Sequence, residues 1–181
     1  MSAETQRVRL ATVWLDGCSG CHMSFLDIDE RLIALAEKAD LVFSPLVDAK
    51  EFPDNVDVTL VEGAVSSEED REKIRLVRRR TKVLVSLGDC AVTGNVPSMR
   101  NPYSTDSVLR RAYIENSRPG SEIPNKIVPA LLASVRPVHE VVKVDVFIPG
   151  CPPSADTIFY ALRELVEGRN PDLTAKTRFG I

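Results

Sequence analysis

Five short runs of β-branched and apolar residues alternate with amphipathic stretches along this chain, and that alternation limits the possible folds more than any other feature. Residues 7–15 (RVRLATVWL), 41–47, 56–61 (VDVTLV), 82–87 (KVLVSL) and 144–148 (VDVFI) read as strands. Residues 24–39 read as a helix with Leu26, Ile28, Leu32, Ile33, Leu35 and Ala36 on a broad apolar face, acids early and Lys38 late to suit the helix dipole. Ser66-x-x-Glu69 reads as a capping box opening a helix that runs to about Arg80. Ile158, Ala161, Leu162, Leu165 and Val166 follow the i, i+3, i+4, i+7, i+8 rule of a last helix, stopped by Gly168. Strands alternating with helices imply a three-layer α/β sandwich with a mainly parallel five-stranded sheet and right-handed crossovers. At 181 residues, 44% apolar and 27% charged, one domain spanning 1–181 buries a core without disulfide staples.

Regular order weakens in residues 95–137, which hold six prolines and where only 104–117 looks helical. A loop region this long in a compact domain usually serves a function or a partner. The most basic stretch, 75–82 (RLVRRRTK), reads as the wet face of a helix. It has no interleaved aromatic residues to stack on bases, so no nucleic-acid partner is expected. Arg7 and Arg9 are not adjacent, and the apolar run 10–15 after them is too short for a signal peptide or a membrane span. A cytoplasmic protein without membrane insertion is expected, with its thiols kept reduced.

Four cysteines in that setting point to metal or redox chemistry. Ligands of open parallel sheets bind beyond the carboxyl ends of the strands. Cys18 and Cys21 follow the first strand, Cys90 the fourth and Cys151 the fifth, so all four fall on one edge. Four thiolates complete the ligand set of a 4Fe–4S cluster, with N–H groups of the turn around Gly17 and Gly20 available to its sulfurs. Pro152 and Pro153 after Cys151 would keep the surroundings stiff and dry, which tunes a potential. Three other readings stand beside this one. Structural zinc normally uses two Cys-x-x-Cys pairs, and here there is one. Thiol–disulfide exchange fits a Cys-x-x-Cys between strand and helix, but leaves Cys90 and Cys151 without a task. Those two can also be small buried apolar residues.

Glu62 ends the third strand and points at the same edge, where a solvated carboxylate before a turn is the plain alternative. His22 inside the cysteine turn reads as a surface or hydrogen-bonding residue, since four cysteines already suffice. His139 has no motif around it, and Gly88-Asp89-Cys90-Ala91 with Gly94 fits neither nucleotide fingerprint.

Trp14-Leu15-Asp16-Gly17-Cys18-Ser19-Gly20-Cys21, Val61-Glu62-Gly63, Gly88-Asp89-Cys90-Ala91 and Pro149-Gly150-Cys151-Pro152-Pro153 together resemble the small subunits of nickel–iron hydrogenases, in family order. The run Cys21-His22-Met23-Ser24-Phe25-Leu26-Asp27 looks like the cytoplasmic, bidirectional NAD-reducing branch. The resemblance implies a flavodoxin-like domain with one proximal 4Fe–4S cluster on Cys18, Cys21, Cys90 and Cys151, facing the nickel–iron centre of a separate large subunit. It implies Glu62 as a residue beside the cluster or on a proton path. Asp89, where many relatives carry Ser or Thr, would alter hydrogen bonding near Cys90. No cysteine is left for a second cluster, so electrons would leave to iron–sulfur and flavin diaphorase subunits carrying FMN and reducing NAD. The loops of 95–137 would lie at a subunit interface. FMN on this chain is a fold-level analogy that no residue demands. No twin-arginine leader is seen, in keeping with a cytoplasmic complex, and the chain alone is expected not to oxidise H₂. The rival reading is the cluster-bearing subunit of a membrane-bound hydrogenase or a complex I type quinone reductase. The latter typically begins with two adjacent cysteines, whereas Ser19-Gly20 separate the pair here.

Overall fold

The computed structural model describes residues 7–177. In chain order its elements are β1 (Val8–Trp14), α1 (Gly20–Leu26), α2 (Arg31–Ala36), β2 (Ala39–Phe43), β3 (Val56–Glu62), β4 (Val65–Ser67), α3 (Glu68–Arg80), β5 (Thr81–Leu87), α4 (Asp89–Thr93), α5 (Asn95–Ser98), α6 (Thr105–Arg110), β6 (Leu131–Arg136), β7 (Val146–Ile148) and α7 (Ala155–Val166). A π-helical turn, Arg111–Glu115, continues α6, and a 3₁₀ turn, Val138–Glu140, follows β6. Five strands form one sheet in the order β2-β1-β3-β5-β7, every neighbouring pair parallel. This is the α/β sandwich expected, and its strand order is that of the flavodoxin-like doubly wound sheet.

Alternation along the strands divides the core in two. Leu10, Val58, Leu60, Val85, Leu87, Val146 and Ile148 pack on one face against Phe25 of α1, Leu35 of α2 and Ile158, Ala161 and Leu162 of α7. Ala11, Val13, Val61 and Leu84 pack on the other against Ile74 and Val77 of α3, with Ala91 and Val138. Both faces are covered, as an all-parallel sheet requires.

The helix expected over 24–39 is two helices. The first begins at Gly20, inside the cysteine turn, and a break follows in which Asp29 adopts φ 56° before α2 resumes. The apolar spacing misses the break because Phe25, Ile28 and Leu35 still reach one core across it. The capping box lies one residue later than Ser66 and Glu69. Ser67 leaves β4 extended, its hydroxyl accepts the Asp70 N–H, and the Asp70 carboxylate accepts the Ser67 N–H. The arginines that end α3 are tied to nearby backbone: Arg78 donates to the carbonyls of Thr81, Lys82 and Lys143, and Arg80 to that of Phe52.

Residues 95–137 hold more structure than one helix. Ser104 caps α6 through the Ser107 N–H, as the start at 104 implies, but α5 and β6, which forms an antiparallel ribbon with β4, are additions. Arg100 donates to the carbonyls of Ser66 and Leu132, and Asn101 exchanges two hydrogen bonds with the Val135 backbone. These bonds fasten the stretch around Arg100 and Asn101 to the β4–β6 ribbon.

Candidate metal centre

The site is built by register. Trp14 pairs with Glu62, Glu62 with Leu87 and Leu87 with Ile148, so the carboxyl ends of β1, β3, β5 and β7 form one row. The loops leaving that row therefore start side by side. Leu15 N–H bonds the Glu62 carbonyl, and Asp16 and Ala64 exchange N–H donors, stitching the exits of β1 and β3 together. Gly63, at φ 88°, allows this approach, since a Cβ there would stand 2.7 Å from the Leu15 carbonyl carbon.

Beyond this row Ser19 turns left-handed at φ 65° and α1 begins, which buries Cys21 and leaves Cys18 exposed. Gly88, at φ 80°, sends the chain from β5 into α4 with half-buried Cys90 in its first turn. Gly88 N–H bonds the Ile148 carbonyl at 2.8 Å and Asp89 N–H that of Gly150 at 2.9 Å. The Asp89 carboxylate accepts the Gly150 N–H at 2.7 Å. Its hydrogen bond thus secures the loop of exposed Cys151, whereas the sequence alone placed its effect beside Cys90. Ser24 of α1 donates to the Pro153 carbonyl at 2.5 Å, closing the ring of loops.

Within that ring Cys18, Cys21, Cys90 and Cys151 line one cavity of about 60 Å³, together with Gly20, Glu62, Asp89, Gly150 and Pro152. All four cysteines expected at the sheet edge are there. A hollow of about 760 Å³ between α3 and the stretch around Phe43 and Phe52 is larger, but has no thiol in its wall. Among the described residues, no three His, Cys, Asp or Glu side chains are spaced to share one metal ion. The thiols surround a space rather than a point. One side-chain donor already addresses them: Asn95 Nδ2 lies 3.5 Å from Cys151 Sγ.

Electrostatics at the cavity runs against free thiolates. Burial pushes the Cys21 thiol far above the ordinary range, and the Glu62 carboxylate and other cysteines push it further. Burial and then Cys151 push the Cys90 thiol up as well, against the Val96 N–H. Four thiolates beside a carboxylate need cationic charge among them to ionise together, and a multi-iron core supplies it. The donor set, its spread around a cavity and the Asn95 amide at Cys151 fit such a core.

Glu62 is 3% exposed, so it is not the solvated carboxylate of its plain alternative, and His22, 2% exposed, is the hydrogen-bonding residue of its reading and not the surface one. Glu62 Oε2 accepts the His22 backbone N–H at 2.9 Å and contacts the ring Nδ1, while Trp14 meets the same ring edge-on, centroids 5.1 Å apart. The spacing between Cys18 and Cys21 gives no sign of this pair; the pairing of Trp14 with Glu62 across the sheet is what creates it. His139 is exposed and stacks edge-on against Phe147.

Residues 18–165 match the family model described as NADH ubiquinone oxidoreductase, 20 Kd subunit. The NAD-reducing hydrogenase HoxS subunit delta of Cupriavidus necator is 45% identical over 92% of this chain and 82% of its own length. A subunit of the F420-non-reducing hydrogenase of Methanothermobacter thermautotrophicus is 40% identical over 93% of this chain, which spans only 56% of that protein. A chain in a crystal structure of an NAD⁺-reducing [NiFe]-hydrogenase in the H₂-reduced state superposes with a TM-score of 0.92 at 41% identity, over 97% of this chain and 100% of the other. This chain belongs to the NADH ubiquinone oxidoreductase 20 Kd subunit family and, within it, to the hydrogenase small subunits.

Proposed function

We propose that this chain is the electron-transfer subunit of a cytoplasmic NAD-reducing nickel–iron hydrogenase, with one 4Fe–4S cluster on Cys18, Cys21, Cys90 and Cys151. The observation that carries the reading is the convergence of those four thiols, from three separate strand exits, on one cavity. Likeness to the HoxS delta subunit and to a chain of a solved NAD⁺-reducing [NiFe]-hydrogenase supports the choice of branch. The cluster, when bound, supplies a one-electron carrier between the nickel–iron site of a large subunit and iron–sulfur and flavin diaphorase subunits. The chain's own residues do the rest. Cys21 and Cys90 anchor the buried side, and Cys18 and Cys151 form the exposed side that meets the large subunit. Asn95 donates to the Cys151 sulfur, and Asp89 holds the Cys151 loop in place.

The segment 95–137 is a subunit interface in this reading, supported by exposed Val96 on α5 and exposed Met99 just after it, beside the Asn95–Cys151 contact. No helix among the described residues is long and apolar enough to cross a membrane. The family description keeps a complex I type subunit as the alternative.

Anaerobic purification of the tagged chain with its co-purifying subunits separates these. A nickel-containing partner and H₂-dependent NAD⁺ reduction are expected from the complex and not from the chain alone. A quinone-reductase partner would favour the alternative. Zinc in place of iron would remove the cluster reading, and H₂ oxidation by the pure chain would contradict the division of labour.

A further inference from the structure

Glu62 does more than border the cavity. Its Oε2 takes two donors from His22, the backbone N–H and the ring Nδ1. Its Oε1 faces the opposite end of the same turn, where a Cβ built on Gly17 would stand 3.7 Å away. One carboxylate thus spans the whole Cys18–Cys21 turn, from the residue before the first cysteine to the residue after the second. A carboxylate this deeply buried is costly unless donors satisfy it, and its charge acts strongly on whatever lies beside it. That charge reaches two of the four thiols, Cys21 and Cys90.

His22 holds the charge in place. An ionised carboxylate has no proton to give, so Nδ1 carries the hydrogen and the ring is the donor. Trp14 packs edge-on at 80° to the imidazole plane, its ring centroid 5.1 Å away. Trp14 and His22 each keep a buried ring nitrogen, Nε1 and Nε2, without a partner among the described residues. Hydrogen bonding on the outer side of the ring is therefore not what orients it. Contact with Glu62 and packing against Trp14 do.

We infer that Glu62 and His22 together set the reduction potential of the cluster, Glu62 as a buried negative charge that opposes adding an electron and His22 as the positioning residue that fixes and partly offsets it. This rests on the cluster reading above. Charge and hydrogen bonding around a cluster govern its potential, so the two residues have opposite effects. Removing the carboxylate's charge makes reduction easier, and removing its ring donor makes reduction harder. A purely structural pair would lose cluster in both cases and shift the potential of what remained in neither.

The test uses the full chain, reconstituted anaerobically with iron and sulfide, as wild type, Glu62→Gln, His22→Leu and His22→Asn. Iron and sulfide are counted, and midpoint potentials are read by EPR-monitored redox titration at one fixed pH. Glu62→Gln is expected to keep the wild-type iron content with its midpoint moved upward. His22→Leu moves it downward, and His22→Asn, whose amide replaces the Nδ1 donor, returns it towards wild type. Glu62→Gln preserves shape, so it stands alone if His22→Leu fails to fold. A Glu62→Gln midpoint equal to wild type, or lost iron with no shift in the remaining cluster, overturns the inference while leaving the cluster reading intact. A wild-type chain that takes up no cluster overturns both.

Discussion

Of the described glycines, Gly88 leaves the least room. Its φ of 80° is one that side chains rarely adopt, and a Cβ there would overlap Cys21 Sγ. Gly88→Ala therefore meets two independent obstacles, backbone strain and a collision with the most deeply buried of the four cysteines. We expect it to cost about 2 kcal/mol in urea unfolding of the apo chain and to lower iron uptake well below wild type. Wild-type stability with full iron content would mean that the approach of Gly88 to Cys21 is not part of the site. The cysteines themselves were legible in the sequence, because strand ends alone set which edge each one reaches. His22 was not. Its partner lies 40 residues away, and only the parallel register of β1 with β3 brings Trp14, Glu62 and His22 into one buried group. Asp89 was half legible, since its place beside Cys90 is visible but its bond to the Gly150 N–H needs β5 and β7 to be neighbours.

At the scale of elements, Asp145 shows how the sheet's last strand is held. Its N–H bonds the Leu84 carbonyl, its carboxylate accepts the Leu84 N–H at 2.8 Å, and Arg78 from the end of α3 pairs with it. Burial pushes the Asp145 carboxyl up. The Leu84 N–H, the Arg78 guanidinium and Lys143 together outweigh that and hold it below the ordinary aspartate value. A carboxyl with a depressed folded pKa stabilises fully above its unfolded value of about 3.9, and that contribution is lost as the pH falls through the folded value. Asp145→Asn should therefore cost about 1 kcal/mol at pH 7, with the gap to wild type closing below about pH 4. A gap of constant size down to acid pH would show that the charge is not what matters. The five long-range strands of the main sheet were legible because their β-branched runs are bounded by turn residues. The ribbon of β4 with β6 was not, because β4 is only three residues long and Val65 finds its partner Arg136 across a proline-rich stretch. The break at Asp29 was hidden for a different reason, since burial keeps helical spacing even where the backbone does not.

For the whole molecule, the proposed function makes the exposed face around Cys18 and Cys151 the surface that meets the large subunit. Met99 follows α5, is 72% exposed, and lies four residues from the Asn95 that contacts Cys151. A charge placed there costs a folded monomer little, within about 0.5 kcal/mol. It would be buried unpaired at an interface, which is costly. Met99→Glu is expected to leave thermal unfolding of the chain unchanged and to prevent co-purification of the large subunit. Retention of that subunit at wild-type yield would move the interface elsewhere on the surface. The division of labour must also hold for the complete assembly, with the chain carrying electrons and a partner activating H₂.

Electron transfer by this chain depends on what the four cysteines hold. The most direct measurement is to count iron and acid-labile sulfide in the anaerobically purified full chain and to record the EPR spectrum after dithionite reduction. We expect about four irons and four sulfides per chain, as one 4Fe–4S cluster requires, with a reduced-cluster signal that disappears when Cys21 or Cys90 is replaced by Ser. A colourless chain containing zinc, or one whose thiols cycle as a disulfide without iron, would contradict the assignment of Cys18, Cys21, Cys90 and Cys151 as cluster ligands.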